Sequence, residues 1–226
     1  MKTQVYQIRA LTNLHPGSGD ADYGIVDKLV QRDPVTNYPT IHMSGIKGAL
    51  REYFKNSGAD KNIIETLFGS EPQAGGDKVK QGKLRFISAE LLAMPQPGKD
   101  ESGQAFKLRY VCKQIVAWLD KVKLFDDSCK VGVLDEGWEE MTPGLFKKLT
   151  DDLPVIARNY LDDGRSKNLW YEEYVPREAV FGCIVQGPEP ELEAFNDKIN
   201  EKVIQLGGNA TVGYGYCLFT SIVKKP

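Results

Sequence analysis

The 226-residue sequence predicts an α+β fold whose strands and helices run in the order βαββαβ, on one domain that carries a sizeable insertion. Three observations point to it. An amphipathic helix signature follows the first strand after a long turn-rich connection, a second precedes the last strand, and the composition, 41% hydrophobic and 27% charged, suits a chain with a real core. At about 150 residues each, two full domains would be cramped.

The first strand is Thr3 to Leu11, and the turn-rich Asn13 to Asp22, with Pro16, Gly17 and Gly19, cannot continue it. Tyr38 to Met43 reads as extended. Ser44 then reads as the N-cap of a helix that Gly58 closes. In that helix Ile46, Ala49, Leu50, Tyr53 and Phe54 share a face, while Lys47, Arg51 and Lys55, four apart, form a positive stripe on another. A short helix from Asn62 to Phe68 and a polar loop to Gln81 follow. Lys83 to Leu92 is predicted as a strand, and Phe106 to Val122 as a helix built on Val111, Ile115, Trp118 and Leu119.

Pro154 to Tyr174 predicts a hairpin turning at Asp163-Gly164, with Arg158, Arg165 and Lys167 near the tip of a projecting basic finger. A strand from Ala179 to Val185, a helix from Pro190 to Leu206 stopped by Gly207-Gly208, and a last strand from Thr211 to Val223 complete the chain. Stripped of insertions, this is the ferredoxin-like plan, the frame that RRM-type RNA binders also use.

A net charge of −2 argues against a uniformly basic nucleic-acid binder, but the charge is polarised: +4 over residues 1–131 and −6 over residues 132–226. No run approaches 18 apolar residues and the N-terminus lacks the apolar stretch of a signal peptide, so a cytoplasmic location without a membrane partner is expected. Four cysteines without a C-x-x-C pair, beside two histidines, make zinc improbable and suit small buried side chains.

Two glycine clusters fail as nucleotide loops. Gly17 to Gly24 lacks the G-x-G-x-x-G spacing, and Gly207 to Gly215 lies between a helix and a strand with no Gly-Lys-Ser/Thr. The second reads either as backbone passing close to an RNA sugar-phosphate chain, which puts Gly207, Gly208 and Gly213 among RNA-binding candidates, or as a helix C-cap with a tight turn. Asp20, Asp22 and Asp27 share the loop after the first strand. The EF-hand template fails there because Gln31 stands where the bidentate Glu belongs, which leaves a looser magnesium site. Arg9, Lys47, Arg51 and Lys55 form a candidate phosphate-contacting set, the bland alternative being a solvated helix face.

Five segments, in this order, resemble the RAMP superfamily, and in particular the backbone subunit of type III-B (Cmr) CRISPR effector complexes. They are Leu11 to Gly19 followed by Gly24 to Asp27, Val30 to Asp33, Pro39 to Arg51, Lys167 to Glu173 with Pro176, and Leu206 to Gly215. The resemblance implies a single RAMP domain over 1–226: a palm from 1–58, 83–92 and 179–223, a finger insertion at about 20–42 and 59–82, and a helical insertion with a long thumb hairpin at about 104–178. It implies a filament of copies along a crRNA, with other Cmr-complex subunits, that cuts paired target single-stranded RNA once per copy with a divalent metal, magnesium or manganese, and no organic cofactor.

By this resemblance Asp27 matches the catalytic and metal-holding aspartate, His15 the loop histidine, and Tyr171 and Glu172 a thumb pair near the scissile phosphate. Lys47 and Arg51 match guide-backbone contacts, and Ser44, Arg158 and Arg165 join the RNA-binding set. The pattern departs at Lys28, where an apolar residue is expected, and between Met94 and Val133, where no family phrase is recognisable. Other readings are a non-catalytic structural backbone subunit, a metal-independent guide-processing RNase working through His15, and a generic RRM-like binder, for which the first strand offers only Tyr6.

Overall fold

A computed structural model describes residues 1–19, 24–71, 80–98, 105–132 and 137–222. Among these, β1 (Lys2–Ala10) leads into α1 (Met43–Asn56), α2 (Lys61–Phe68), β2 (Arg85–Pro97), β3 (Phe106–Tyr110), α3 (Cys112–Phe125), β4 (Trp138–Glu140) and α4 (Pro143–Asp151). Then come β5 (Val155–Asp162), β6 (Arg165–Glu173), β7 (Val180–Gly187), α5 (Glu189–Ile199), β8 (Lys202–Gln205) and β9 (Tyr216–Ser221). No helix among the described residues is long and apolar enough to cross a membrane.

The main sheet runs β4-β3-β2-β7-β1-β9-β8, and its central pairs β2–β7, β7–β1 and β1–β9 are all antiparallel. These four strands interleave as two split βαβ units require, with α1 closing the first and α5 the second. Alternation along β1 and β7 then divides the core between the two faces. Tyr6, Ile8, Phe181, Cys183 and Val185 pack under α1, α2 and α5, where Phe54, Phe68, Phe86 and Phe195 make stacked and edge-on contacts. Val5 and Ile184 point the other way, under Ile115, Trp118 and Val122 of α3. Gly182 makes that packing possible: a Cβ there would lie 2.4 Å from the Trp118 ring.

The RRM-like reading fails on this layout, because Tyr6 is fully buried on the helix side and α3 covers the opposite face. Several boundaries also move. The helix expected from Phe106 begins only at Cys112. Before it, Phe106, Leu108 and Tyr110 alternate as β3 against the extension of β2. The helix expected to reach Leu206 ends at Ile199, and Glu201, at φ 58°, turns the chain into β8 with Val203 outward and Ile204 inward.

Gly207-Gly208 therefore follows a strand instead of capping a helix. The last strand starts at Tyr216, since Ala210–Val212 form a 3-10 turn, and Val223 lies outside the described residues. Ser44 is not the N-cap: His42 occupies that position without a side-chain cap bond. Cys183 and Cys217 are buried and burial pushes their thiols up to about 12, whereas Cys112 is exposed and Cys129 half-buried, contrary to expectation.

The predicted hairpin is β5–β6, a separate two-stranded sheet whose Asp163-Gly164 turn has φ 47° and 74°, both positive as a type I′ turn needs. Its register slips by one at Tyr160/Leu161, which leaves Lys167 as the extra residue of a β-bulge.

Candidate functional site

Asp27 lies in a short extended segment that adds to the base of the hairpin. Its backbone N–H and that of Lys28 both donate to the Tyr171 carbonyl, at 3.0 and 3.1 Å, and the Glu173 N–H donates to the Lys28 carbonyl at 2.9 Å. The Asp27 carboxylate is exposed, and its Oδ2 accepts from the Tyr171 N–H at 2.8 Å. These bonds tie the aspartate to the hairpin. The residue lines a cleft of about 760 Å³ walled by His15, Gly17 to Gly19, Asp27 to Leu29 and Asn168 to Trp170.

His15 lines the same cleft and is buried, its Nδ1–H donating to the Glu173 carbonyl at 2.6 Å. In the neutral ring this leaves Nε2 as the acceptor. Close glycines hold the loop: a Cβ at Gly17 would stand 3.1 Å from Nε2, and one at Gly207 only 2.5 Å from the His15 carbonyl oxygen, to which Gly208 donates its N–H at 2.9 Å. The close approach read at Gly207-Gly208 thus exists, with the backbone of His15 as the neighbour. Gly213, at φ 84°, has open space beside it.

Two successive glutamates at the end of β6 are both buried and both compensated. Glu173 accepts from Arg32 at 2.6 Å and from the Val30 N–H at 3.0 Å. Glu172, 2% exposed, accepts from Lys28 at 2.8 Å, Arg158 at 2.6 Å, the Trp170 indole at 2.7 Å and Asn209 at 2.8 Å. Burial works to raise its pKa, yet the hydrogen bonds from Lys28, Trp170, Arg158 and Asn209 outweigh it and hold the group at about 2. A carboxylate this acidic and this enclosed is a poor base. It ties the hairpin to the Asp27 segment and to the turn after Gly208. Tyr171 is exposed beside it, and Tyr174 packs edge-on against Tyr214 at 5.9 Å.

The basic candidates separate. Arg158 sits at the hairpin's base, not its tip, because Glu172 claims it and its guanidinium lies 4.8 Å over the Tyr214 ring. Arg165 is at the exposed tip, and Lys167 pairs with Asp162 at 3.3 Å. On α1, Arg51 donates to the Gly69 carbonyl at 2.6 Å and Lys55 pairs with Glu71 at 2.8 Å. Lys47 is half-buried on the same helix without an ion pair among the described residues, and Ser44 is exposed near the helix start. Arg9 is committed to Glu178 through Nε at 2.7 Å. Sequence reasoning missed Arg32, Trp170, Asn209 and the inward turn of Arg158. Each acts as a partner of a buried glutamate, and adjacent buried acids carry no sequence signal of their own.

Among the described residues no three His, Cys, Asp or Glu side chains cluster to hold a metal ion. Asp20 and Asp22 lie outside the described residues. Among the described residues Asp27 is the carboxylate that lines the cleft, and a single carboxylate suits a hydrated cation shared with a substrate phosphate, the usual habit of magnesium, and not a closed protein cage.

The family model of the RAMP superfamily matches residues 7–218. The chain belongs to the RAMP superfamily. Among relatives, the CRISPR system Cmr endoribonuclease Cmr4 of Pyrococcus furiosus is 25% identical over 97% of this chain and 96% of its own length. The Cms endoribonuclease Csm3 of Streptococcus thermophilus is 34% identical over 38% of the chain and 42% of its own length. In solved structures the same fold occurs in a type III-B Cmr-beta complex bound to cognate target RNA, with TM-score 0.76, 20% identity and coverage of 98% of this chain and 97% of that one. It also occurs in oligomeric Cmr4 from Pyrococcus furiosus, with TM-score 0.70, 17% identity and full coverage of both chains.

Proposed function

We propose that this RAMP chain is a crRNA-binding backbone subunit of a type III-B CRISPR complex, assembling with further copies of itself and other Cmr-complex subunits, and cleaving paired target single-stranded RNA at regular intervals. The observation that carries this reading is the exposed Asp27 carboxylate, fixed to the hairpin base and lining the His15 cleft in a chain that aligns with an endoribonuclease along its whole length.

The chemistry is the transesterification open to any RNA. The 2′-oxygen attacks the adjacent phosphorus and the 5′-oxygen leaves, once the phosphate is turned in line with the 2′-hydroxyl. A-form stacking denies that geometry and a splayed nucleotide permits it. In our reading Asp27 takes the 2′-proton or holds a divalent ion, magnesium or manganese, which when bound would neutralise charge on the phosphate. His15 shapes the loop around the phosphate and Tyr171 borders it. Glu172 positions both walls through its four donors. Lys47, Ser44 and Arg165 are the candidates whose side chains have no ion-pair partner among the described residues and can meet phosphates, whereas Arg9, Arg51, Lys55 and Arg158 would have to exchange an internal partner.

The test is Asp27→Asn in the guide-loaded complex. Target binding is expected to persist while the regularly spaced cuts slow by about 10²- to 10⁴-fold. A target carrying a 2′-deoxy sugar at the cut site should resist the unaltered complex. An undiminished product ladder from Asp27→Asn refutes the assignment, and makes a purely structural backbone subunit the better account.

A further inference from the structure

Lys28 lines the same cleft as Asp27, and its surroundings give it work. Two cations, Lys28 and Arg158, converge on the single negative charge of Glu172, so the cluster carries one positive charge in excess. Arg158 is 18% exposed and stacked on Tyr214, which leaves it little reach. Lys28 is 52% exposed, with its Nζ 5.1 Å from the centre of the Trp170 ring. An ammonium has three N–H donors, and among the described residues Glu172 accepts the one hydrogen bond that Nζ donates. Lys28 is therefore the more exposed of the two cations and keeps donors to spare, and it walls the same cleft as Asp27 and follows it directly in the chain.

We propose that Lys28 is a second catalytic residue of this site, its ammonium binding a non-bridging oxygen of the phosphodiester that Asp27 addresses. The proposal rests on the nuclease reading given above. As the 2′-oxygen–phosphorus bond forms and the phosphorus–5′-oxygen bond breaks, the phosphate passes from one negative charge to two. A fixed cation already in place stabilises that increment without reorganising. Lys28 gives up no proton in this step: the 2′-proton leaves to a base and the departing 5′-oxygen takes one from water. Glu172 and the Trp170 ring hold the ammonium in position.

The experiment compares Lys28→Met and Lys28→Arg with the unaltered guide-loaded complex, measuring target affinity and single-turnover cleavage separately. Lys28→Met is expected to slow cleavage by about 10²- to 10³-fold, the usual loss for one donor to a developing oxyanion. Target affinity should stay within about twofold, since phosphate contacts are spread along the assembly, and Lys28→Arg should recover most of the rate. A second readout uses a target with one non-bridging sulfur at the scissile phosphate. The unaltered complex should lose rate with one of the two sulfur stereoisomers, and Lys28→Met should lose that selectivity. Cleavage by Lys28→Met at the unaltered rate overturns the role. So does a slowed variant that keeps the full sulfur effect, because that pattern belongs to a residue that only positions Glu172. An unaltered complex that makes no cuts overturns the nuclease reading and this role with it.

Discussion

Replacing Glu172 with glutamine removes one buried negative charge while preserving shape, and the structure sets the size of the effect. A free glutamate titrates near 4.5 and Glu172 near 2. At about 1.4 kcal/mol per tenfold change in proton affinity, the folded state favours the ionised group by about 3 kcal/mol. Because the folded value lies below the unfolded one, this stabilisation is complete above about pH 4.5 and is lost as the pH falls towards 2. Glu172→Gln should therefore be less stable than the unaltered chain by about 3 kcal/mol at pH 7, leaving Lys28 and Arg158 to face each other across a neutral amide. For a chain of this length that is a drop of about 6–12 °C in Tm. Thermal melts followed by circular dichroism at pH 7 and at descending pH check it, and the two Tm values should converge only as the pH approaches 2. Equal Tm values at pH 7, or a gap that does not change with pH, would refute the reasoning.

Gly207→Ala should lower Tm more than Gly213→Ala. Both residues have positive φ, which costs about 1–2 kcal/mol for an L side chain, but only the first would also press a Cβ to 2.5 Å from the His15 carbonyl oxygen. Equal losses in a pair of melts would remove the close approach as the reason for that glycine. Lys47→Ala should weaken guide-RNA binding and reduce the slope of log affinity against log salt by about 1 per copy while leaving Tm unchanged. Arg51→Ala should lower Tm instead, since Gly69 loses its donor and Glu71 a counter-charge; filter binding across a salt series, paired with melts, separates the two.

Much of the frame is legible in the chain wherever local pattern and tertiary demand agree. The Asp163-Gly164 turn, the apolar face of α1 and the short α2, capped by Asp60, all follow from residue chemistry within a few positions. The misreadings occur where an apolar run suits two periods. Phe106 to Leu119 supports a helix on its second half and alternation on its first, and only the extension of β2 alongside settles Phe106–Tyr110 as strand. Beyond Ile199 the helical spacing of Val203 and Leu206 is coincidental, because β9 offers an edge to which Lys202–Gln205 can pair.

Asp27 and His15 stand in the chain as members of a recognisable loop, and it is the resemblance of that loop to the RAMP superfamily, not their residue types, that marks them as site candidates. The wiring behind them is different in kind. Counted straight back from the Asp162–Arg165 pair, Arg158 would face Leu169 and point away from Glu172. The extra residue at Lys167 shifts the register by one, sets Arg158 opposite Trp170 and brings Arg158, Trp170 and Glu172 to one face. Sequence by itself determined the central strands, the hairpin turn and the charged groups available. Tertiary structure decided which face each group took, because side-chain direction in a sheet alternates with every residue and a single bulge reverses it.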